Sequence, residues 1–533
     1  MTATIQQESD LAGPSAAPLT RDGKPLKASL AKALRREKLR ALLLIMPLLL
    51  FVVVSFVMPI GDMLFRSVEN KIVETTLPGT VRALANWDDG AGELPEERVF
   101  AALADDLMLA QELKRHTRLG SRLNYDQPGI SSVFRKTGRK IKRFENTSIV
   151  DAMVQLNPAW ATTQSWDTVR SLPDLATTLP GTAQSLSNWT RFVASEEGDD
   201  VDATTLVPHG FTYSMLYHDL QQLSDTQLQA LESQASGLFS GFSEQMDSMP
   251  STDFTAQFAD VDDGWLELEN WQAIKRLSPT IVDSYFLAAV DAERTADGVQ
   301  LKPDNERIYI RLFIRTLIMS LVITLSCIAL GYPVAYLLAS LPVRASNLVL
   351  ILVLLPFWTS LLVRTSAWKV LLQQQGVIND LLVWIGLIDN AGRLIMINNM
   401  TGTIIAMTHI LLPFMILPLF SVMKTISPTY VRAAKSMGAS DSLAFWKIYF
   451  PNTIPGIGAG SILVFILAIG YYITPELVGG TSGVFISNRI AYHISSSLNW
   501  GLAAALGAIL LVMVMALYWT YDRIVGIDNV KLG

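Results

Sequence analysis

The sequence predicts an all-α membrane protein with six membrane-spanning helices and a mainly helical, water-soluble domain inserted between the first and the second. Three observations carry this. Half of the 533 residues are apolar, and the mean hydropathy is positive, at +0.32. The apolar residues gather in 41–64 and in most of 308–521, leaving the stretch between with the composition of a soluble protein. Charge divides at the same boundaries: residues 66–307 hold 21 Lys and Arg against 37 Asp and Glu, net −16, while the remainder is net +10.

A bilayer core about 30 Å thick needs roughly 20 apolar residues in a helix. Segments 41–64, 312–340, 347–363, 401–423, 455–474 and 501–521 meet or approach that length, and 347–363 is the shortest. Residues 1–40 form a basic tail that includes Lys32, Arg35, Arg36, Lys38 and Arg40. The apolar run after it exceeds a signal-peptide core of about 7–15 residues. No small-residue cleavage site follows before Arg66-Ser67-Val68-Glu69, so 41–64 reads as an uncleaved anchor. Short basic loops mark the cytoplasmic side of a membrane. With the N-terminus cytosolic, alternation places 65–307 outside, the turn at Arg344 inside and 364–400 outside. The segment 424–454, with Lys424, Arg432, Lys435 and Lys447, falls inside, as does the tail 524–533. The basic N-terminus suits contact with anionic lipid. Neither charge block suggests nucleic acid.

The exported block is expected to be helical, with apolar residues at helical spacing through Val99, Leu103 and Leu107 and again after Ser224-Asp225. Its six tryptophans, Trp87, Trp160, Trp166, Trp189, Trp265 and Trp271, are read as core. No internal repeat and no recognisable motif stand out. His209, His218 and Asp219 match no tight ligand spacing and are expected at the surface. The only cysteine, Cys327, lies inside the second span, so one chain can form no disulfide, and it reads as a small apolar packing residue. His409 in the fourth span reads as a packed, hydrogen-bonded histidine.

The most informative segment lies between the fourth and fifth spans. Ser427-Pro428 suits a helix start, the serine as N-cap and the proline at the first helical position. Tyr430, Ala433, Ala434 and Met437 then fall on one helical face, and Gly438 sits where a helix end favours a left-handed residue. Ser440 or Asp441 can cap a second helix, which Pro451 is expected to stop or bend before the fifth span. The product, 427–451, is a rigid helix–turn–helix hairpin along the inner membrane surface, able to transmit force.

Arg432-Ala433-Ala434, Gly438 and Ile448-Tyr449-Phe450-Pro451 are spaced as in the coupling loop of bacterial ABC import permeases, which this segment resembles. The likeness extends to Gly331-Tyr332-Pro333, Leu355-Pro356-Phe357-Trp358, Leu412-Pro413-Phe414, Pro475-Glu476-Leu477-Val478-Gly479-Gly480 and Asn499-Trp500-Gly501. Together these are similar to the polyamine-type branch, the spermidine/putrescine permeases. The resemblance covers 41–64 and 308–523, with a permease core at 308–523. Two departures stand out. Arg432 occupies the place of the family's usual acidic residue, and some 240 residues replace a short external loop after the first span.

The resemblance implies a permease subunit of an importer in the bacterial inner membrane, moving a small polar solute by alternating access. The solute it implies is a polyamine or a related amine or amino-acid-like compound. Implied partners are a cytosolic ATPase dimer, a second and related permease chain, and a periplasmic substrate-binding protein. Implied ATPase-coupling residues are Tyr430, Arg432, Ala433, Ala434, Met437, Gly438 and Pro451. The chain has no Gly-rich Lys-Ser/Thr phosphate loop. It is therefore expected to be no enzyme and to bind no cofactor or metal, with ATP and Mg used by the partner. A secondary transporter or a membrane receptor with an external sensing domain is the alternative.

A cationic solute would favour carboxylates and aromatic faces on its route. Phe357, Trp358, Tyr471, Tyr472 and Glu476 are the candidate path residues. Taken singly, the aromatics also fit an interfacial belt, and Glu476 and Asp380 fit solvated acids. Arg315 is expected to reach toward water.

Overall fold

The computed structural model describes residues 26–525 apart from 199, 236, 247, 248, 250, 251, 296 and 297. Of the predicted tails, 1–40 and 524–533, residues 1–25 and 526–533 lie outside the described residues. Among the described residues the only strands are Ala292–Thr295 and Gly298–Leu301, one antiparallel hairpin.

The first unit ends at Phe65 and is a single long helix, from Leu26 through a π-helical turn at Val53–Val57 into Met58–Arg66, whose last residue belongs to the second unit. It begins well inside the predicted basic tail, because 26–40 is dominated by Leu, Ala, Lys and Arg, all strong helix formers. Its large apolar side chains from Leu39 to Ile60 are exposed, as on a lipid-facing helix.

In the second unit, helices long and apolar enough to span a membrane run over Tyr309–Ser340, Met400–Thr425, Asp441–Gly470 and Trp500–Arg523. The third predicted span is not one straight helix. Val343–Trp358 and Leu361–Leu371 meet at 95°. Pro356 sits in the tight turn Leu355–Trp358, and Ser360 starts a new helix by accepting from the Val363 N–H at 3.2 Å.

The insertion carries a duplication that the sequence reading missed. Thr75-Thr76-Leu77-Pro78-Gly79-Thr80, with Leu84, Asn86 and Trp87, recurs as Thr177-Thr178-Leu179-Pro180-Gly181-Thr182, with Leu186, Asn188 and Trp189. In each copy the Pro-Gly-Thr turn opens a helix whose first amides converge on one buried aspartate. Asp106 accepts from the Thr80 N–H at 2.7 Å and the Thr80 hydroxyl at 2.8 Å. Asp219 accepts from the Thr182 N–H at 2.6 Å and hydroxyl at 2.7 Å. The glycine amides add contacts at 3.3 and 3.2 Å. A Cβ on Gly181 would lie 2.9 Å from the Asp219 carboxylate, so only glycine lets the carboxylate approach.

The second half of each copy carries a tryptophan pair, Trp160/Trp166 and Trp265/Trp271, with ring centroids 5.5 Å apart in both. The halves are exchanged. Trp271 packs edge-on to Phe100 at 4.6 Å and Trp265 to Phe134 at 5.2 Å, while Trp166 packs on Tyr213 at 4.8 Å and Trp160 on Phe239 at 5.5 Å. One core therefore joins residues 73–144 to 254–289, and the other is the contiguous stretch 149–242 nested between them. The chemistry has drifted where the copies differ. The Trp271 indole donates to the Trp265 carbonyl at 2.8 Å. In the nested lobe the Tyr213 hydroxyl stands between, accepting from Trp166 and donating to the Trp160 carbonyl at 2.6 Å. The four tryptophans of these pairs are fully buried; Trp87 and Trp189 are half-buried.

Asp219 is buried, and His209 and His218 are half-buried. They sit on or beside the helix Gly210–Gln221, which is covered by both lobes. Asp105 faces the His209 ring at 3.8 Å and accepts from Ser185 at 2.6 Å and Asn188 at 2.7 Å.

The first lobe is seated on the transport core. Its hydrophobic core runs on into Leu312 and Phe313 of the second span and into Leu502, Ala505 and Leu506 of the last. Tyr285 lies flat against Gly501, where any side chain would collide with the ring. Arg122 fixes that tyrosine, donating to its hydroxyl at 2.9 Å with the guanidinium 4.2 Å from the ring centroid.

Candidate functional site

The second and fourth spans run side by side in the same direction: Cys327 donates to the Thr408 carbonyl at 3.5 Å, and Gly331, four residues on, packs on Met415 and Ile416. The second span starts under the insertion, at Tyr309, and ends at Ser340. At 1.5 Å per residue, the two ends are about 48 Å apart. The segment after the fourth span therefore lies at the end of the core opposite the insertion.

That segment is a helical hairpin. Pro428–Ser436 is capped by Ser427, whose hydroxyl accepts from the Thr429 N–H at 3.4 Å. Gly438 adopts φ +90°, and its N–H and that of Ala439 close onto the Lys435 and Ala434 carbonyls, each at 3.0 Å. A side chain at this φ is strained, so glycine sets the turn. Lys435 and Asp441 pair across the turn at 2.6 Å. Ser440 then caps the second limb through the Leu443 N–H at 3.4 Å.

The second limb differs from expectation. It does not stop at Pro451. Asp441–Ala444 passes through a π-helical turn, Phe445–Tyr449, straight into Phe450–Gly470. The wider turn shifts the hydrogen-bond register one residue before the proline, which then sits in the first turn of the following helix, where its missing N–H matters least. The limb and the fifth span are one continuous rod.

The rod is pinned to the second span by rings. Tyr336 meets Phe445 at 5.8 Å and Tyr449 at 5.3 Å, and Tyr332 meets Phe450 at 5.8 Å. Sequence reasoning assigned these residues no role. The signal available was a pair of aromatic i, i+4 spacings, Tyr332/Tyr336 and Phe445/Tyr449. Of the predicted coupling face, Tyr430, Ala433 and Met437 are exposed, Met437 at 89%, while Ala434 turns half inward. Arg432 is also exposed. The hairpin thus offers an unpartnered apolar surface on a rigid support.

The family model of the binding-protein-dependent transport system inner membrane component matches residues 307–526. The spermidine/putrescine transport system permease protein PotB of Salmonella typhimurium strain SL1344 is 36% identical over 220 residues, covering 41% of this chain and 76% of PotB. The chain belongs to this family. PotB of Escherichia coli K12 is 37% identical over 221 residues, covering 41% and 79%. The inner membrane ABC transporter permease protein YdcU of the same organism is 31% identical over 253 residues, covering 45% and 79%. Among solved structures, a bacterial ABC transporter importing the acidic polysaccharide alginate aligns with a TM-score of 0.35 at 20% identity, covering 43% of this chain and 81% of that one. This permease is therefore an inner-membrane protein of the ABC import class, and nearly all of its insertion, 66–306, falls outside the family match.

Within the permease core the candidate path residues separate. Tyr472 and Glu476 line one cavity of about 380 Å³ together with Asn488, Arg489 and Tyr492. Glu476 accepts from the Asn488 side-chain amide at 2.7 Å, and the Arg489 guanidinium lies 5.8 Å from the Tyr492 ring centroid. Phe357, Trp358 and Tyr471 do not line that cavity. Phe357 packs edge-on to Phe414 at 5.1 Å at the break in the third span, Trp358 is 75% exposed, and Tyr471 packs against the core. Asp380 is ion-paired with Arg393 at 2.8 Å, and Arg315 donates to the Thr481 carbonyl at 3.0 Å. His409 accepts from the Trp368 indole at 3.1 Å, and Cys327 is fully buried.

Proposed function

We propose that this permease carries a small cationic solute, a polyamine or a related amine, inward by alternating access. ATP and Mg are used by a cytosolic ATPase dimer docked on the hairpin. The observation that carries the reading is the hairpin itself: a glycine-hinged lever with Tyr430, Ala433 and Met437 exposed, continuous with the fifth span through the π-helical turn. The 36–37% identity to spermidine/putrescine permeases supports the solute class. Glu476, in a cavity with Tyr472 and Tyr492, is the carboxylate best placed to meet a cation, and Arg489 beside it limits how much positive charge the cavity accepts.

In this reading both termini and the hairpin are cytosolic and 65–307 is periplasmic. A second, related permease completes the path. A periplasmic binding protein delivers solute, and the insertion contacts it or shields the entrance. Arg432, in place of the family's usual acid, calls for a carboxylate on the ATPase surface. The test is reconstitution with an ATPase, a second permease and a binding protein of the same importer, following ATP-dependent uptake of radiolabelled putrescine and spermidine. Uptake is expected to need ATP and to fall on Gly438→Pro together with loss of the co-purified ATPase. Uptake that ignores ATP points to a secondary transporter, and no uptake of any amine removes the solute class. Deleting 66–307 with membrane insertion preserved should abolish uptake; unchanged uptake refutes a role for the domain in delivery.

A further inference from the structure

A cavity of about 820 Å³ opens at the seam between the insertion and the transport core. One wall is the end of the insertion helix His116–Leu123 with its following turn; the other is the loop 496–501 that leads into the last span. Its charge opposes that of the domain it belongs to. The insertion is net −16, yet the lining carries Arg66, Lys71, Arg118 and Arg122 against one carboxylate, Glu69. Lys71 is paired with Glu69, and Arg122 with Asp126 at 2.7 Å. Arg118 is exposed and has no partner among the described residues.

The opposite wall holds two further anomalies. Leu498 adopts φ +52°, a left-handed conformation disfavoured for leucine. The next residue, Asn499, caps the last span by accepting from the Leu502 N–H at 3.2 Å, but its side-chain N–H₂ is buried with no acceptor. A buried donor without a partner calls for one. Tyr125 and Trp500 supply aromatic surface to the same space. The volume falls in the range of about 300–1,000 Å³ usual for small-molecule sites.

We propose that this seam cavity binds an anionic ligand, its carboxylate or phosphate held by the Arg118 guanidinium and its carbon body against Tyr125 and Trp500. A ligand so placed touches the insertion and the last span at once and ties them together. The site is remote from the hairpin and adjoins the Glu476 cavity at Ser496, and the inference does not depend on which solute the core carries. Two sources offer this chemistry: a free small anion, or the headgroup of an anionic phospholipid.

The test is calorimetric titration of the full chain with citrate and with inorganic phosphate, in lipid nanodiscs of phosphatidylcholine alone and of phosphatidylcholine with phosphatidylglycerol. The wild type is expected to bind at least one anion in phosphatidylcholine. Arg118→Gln should weaken that binding tenfold or more, Arg118→Lys should retain most of it, and Arg191→Gln, at an exposed residue of the nested lobe, should leave it unchanged. Loss of the titration when phosphatidylglycerol is present identifies the headgroup as occupant; its persistence identifies a soluble anion. If neither anion binds the wild type in phosphatidylcholine, or if Arg118→Gln binds as the wild type does, the site is overturned.

Discussion

Replacing Asp106 by asparagine should remove much of the pH dependence of the insertion's stability. Asp106 is buried beside Asp105, and burial first and that neighbouring charge second push its carboxyl from 3.8 up to about 7, against donors from Thr80 and Asn188. The folded chain therefore holds a proton that the unfolded chain releases between those values. The stabilisation is complete below pH 3.8 and is lost as pH rises through about 7. At 1.36 kcal/mol per unit, the full window is worth about 4 kcal/mol, and the part between pH 5 and pH 8 about 3 kcal/mol. For a domain of this size 1 kcal/mol moves Tm by about 2–4 °C, so Asp106 alone should account for a fall of roughly 5–10 °C over that range. An asparagine at this position keeps the shape of the protonated acid and cannot ionise. Asp106→Asn should thus unfold near the wild-type temperature at pH 5 and several degrees above it at pH 8. Asp219 and Glu97, also raised by burial, and His209 and His218, lowered by it, are common to both proteins and drop out of the comparison. Thermal scans of the full chain in neutral detergent, read by tryptophan fluorescence, provide the measurement. Equal pH slopes in the two proteins would falsify the assignment of this proton to Asp106.

Two further outcomes follow from the same geometry. Trp166→Ala and Trp271→Ala remove equivalent, fully buried side chains from the two lobes, and each should cost about 3–5 kcal/mol in chemical denaturation, the two agreeing to within about 1 kcal/mol; a marked inequality would mean that the lobes are not energetic counterparts. Gly501→Leu drives a side chain into the Tyr285 ring and should loosen the insertion from the core at a cost of about 1–3 kcal/mol, detected as faster proteolysis in 278–308 with the transmembrane helices intact.

The transport core was largely legible because its signals are local. Apolar runs mark the spans, and Ser427-Pro428, Gly438 and Ser440 each do in the structure what their backbone chemistry dictates. What escaped depended on neighbours distant in sequence or on register. The bend at Pro356 and the π-helical turn before Pro451 arise where a proline competes with helix continuation, and sequence alone did not reveal which side wins. The duplication was written plainly at Thr75–Trp87 and Thr177–Trp189. It was obscured farther on because the loops differ in length: the spacing between copies is 102 residues at Gly79/Gly181, 113 at Asp106/Asp219 and 105 at Trp160/Trp265. His209, His218 and Asp219 read as surface groups because the groups that cover them, such as Asp105 against His209 and Thr182 against Asp219, lie far away in sequence.

The exchanged halves dictate an order of assembly. The inner lobe is one unbroken stretch and can close as soon as its own residues have been made. The outer lobe must hold Phe100 and Phe134 without their tryptophans until residues 265–271 arrive, more than a hundred positions later. A chain truncated between Phe242 and Trp265 would therefore hold one finished body and one open shell, and the shell is the part that meets the transport helices.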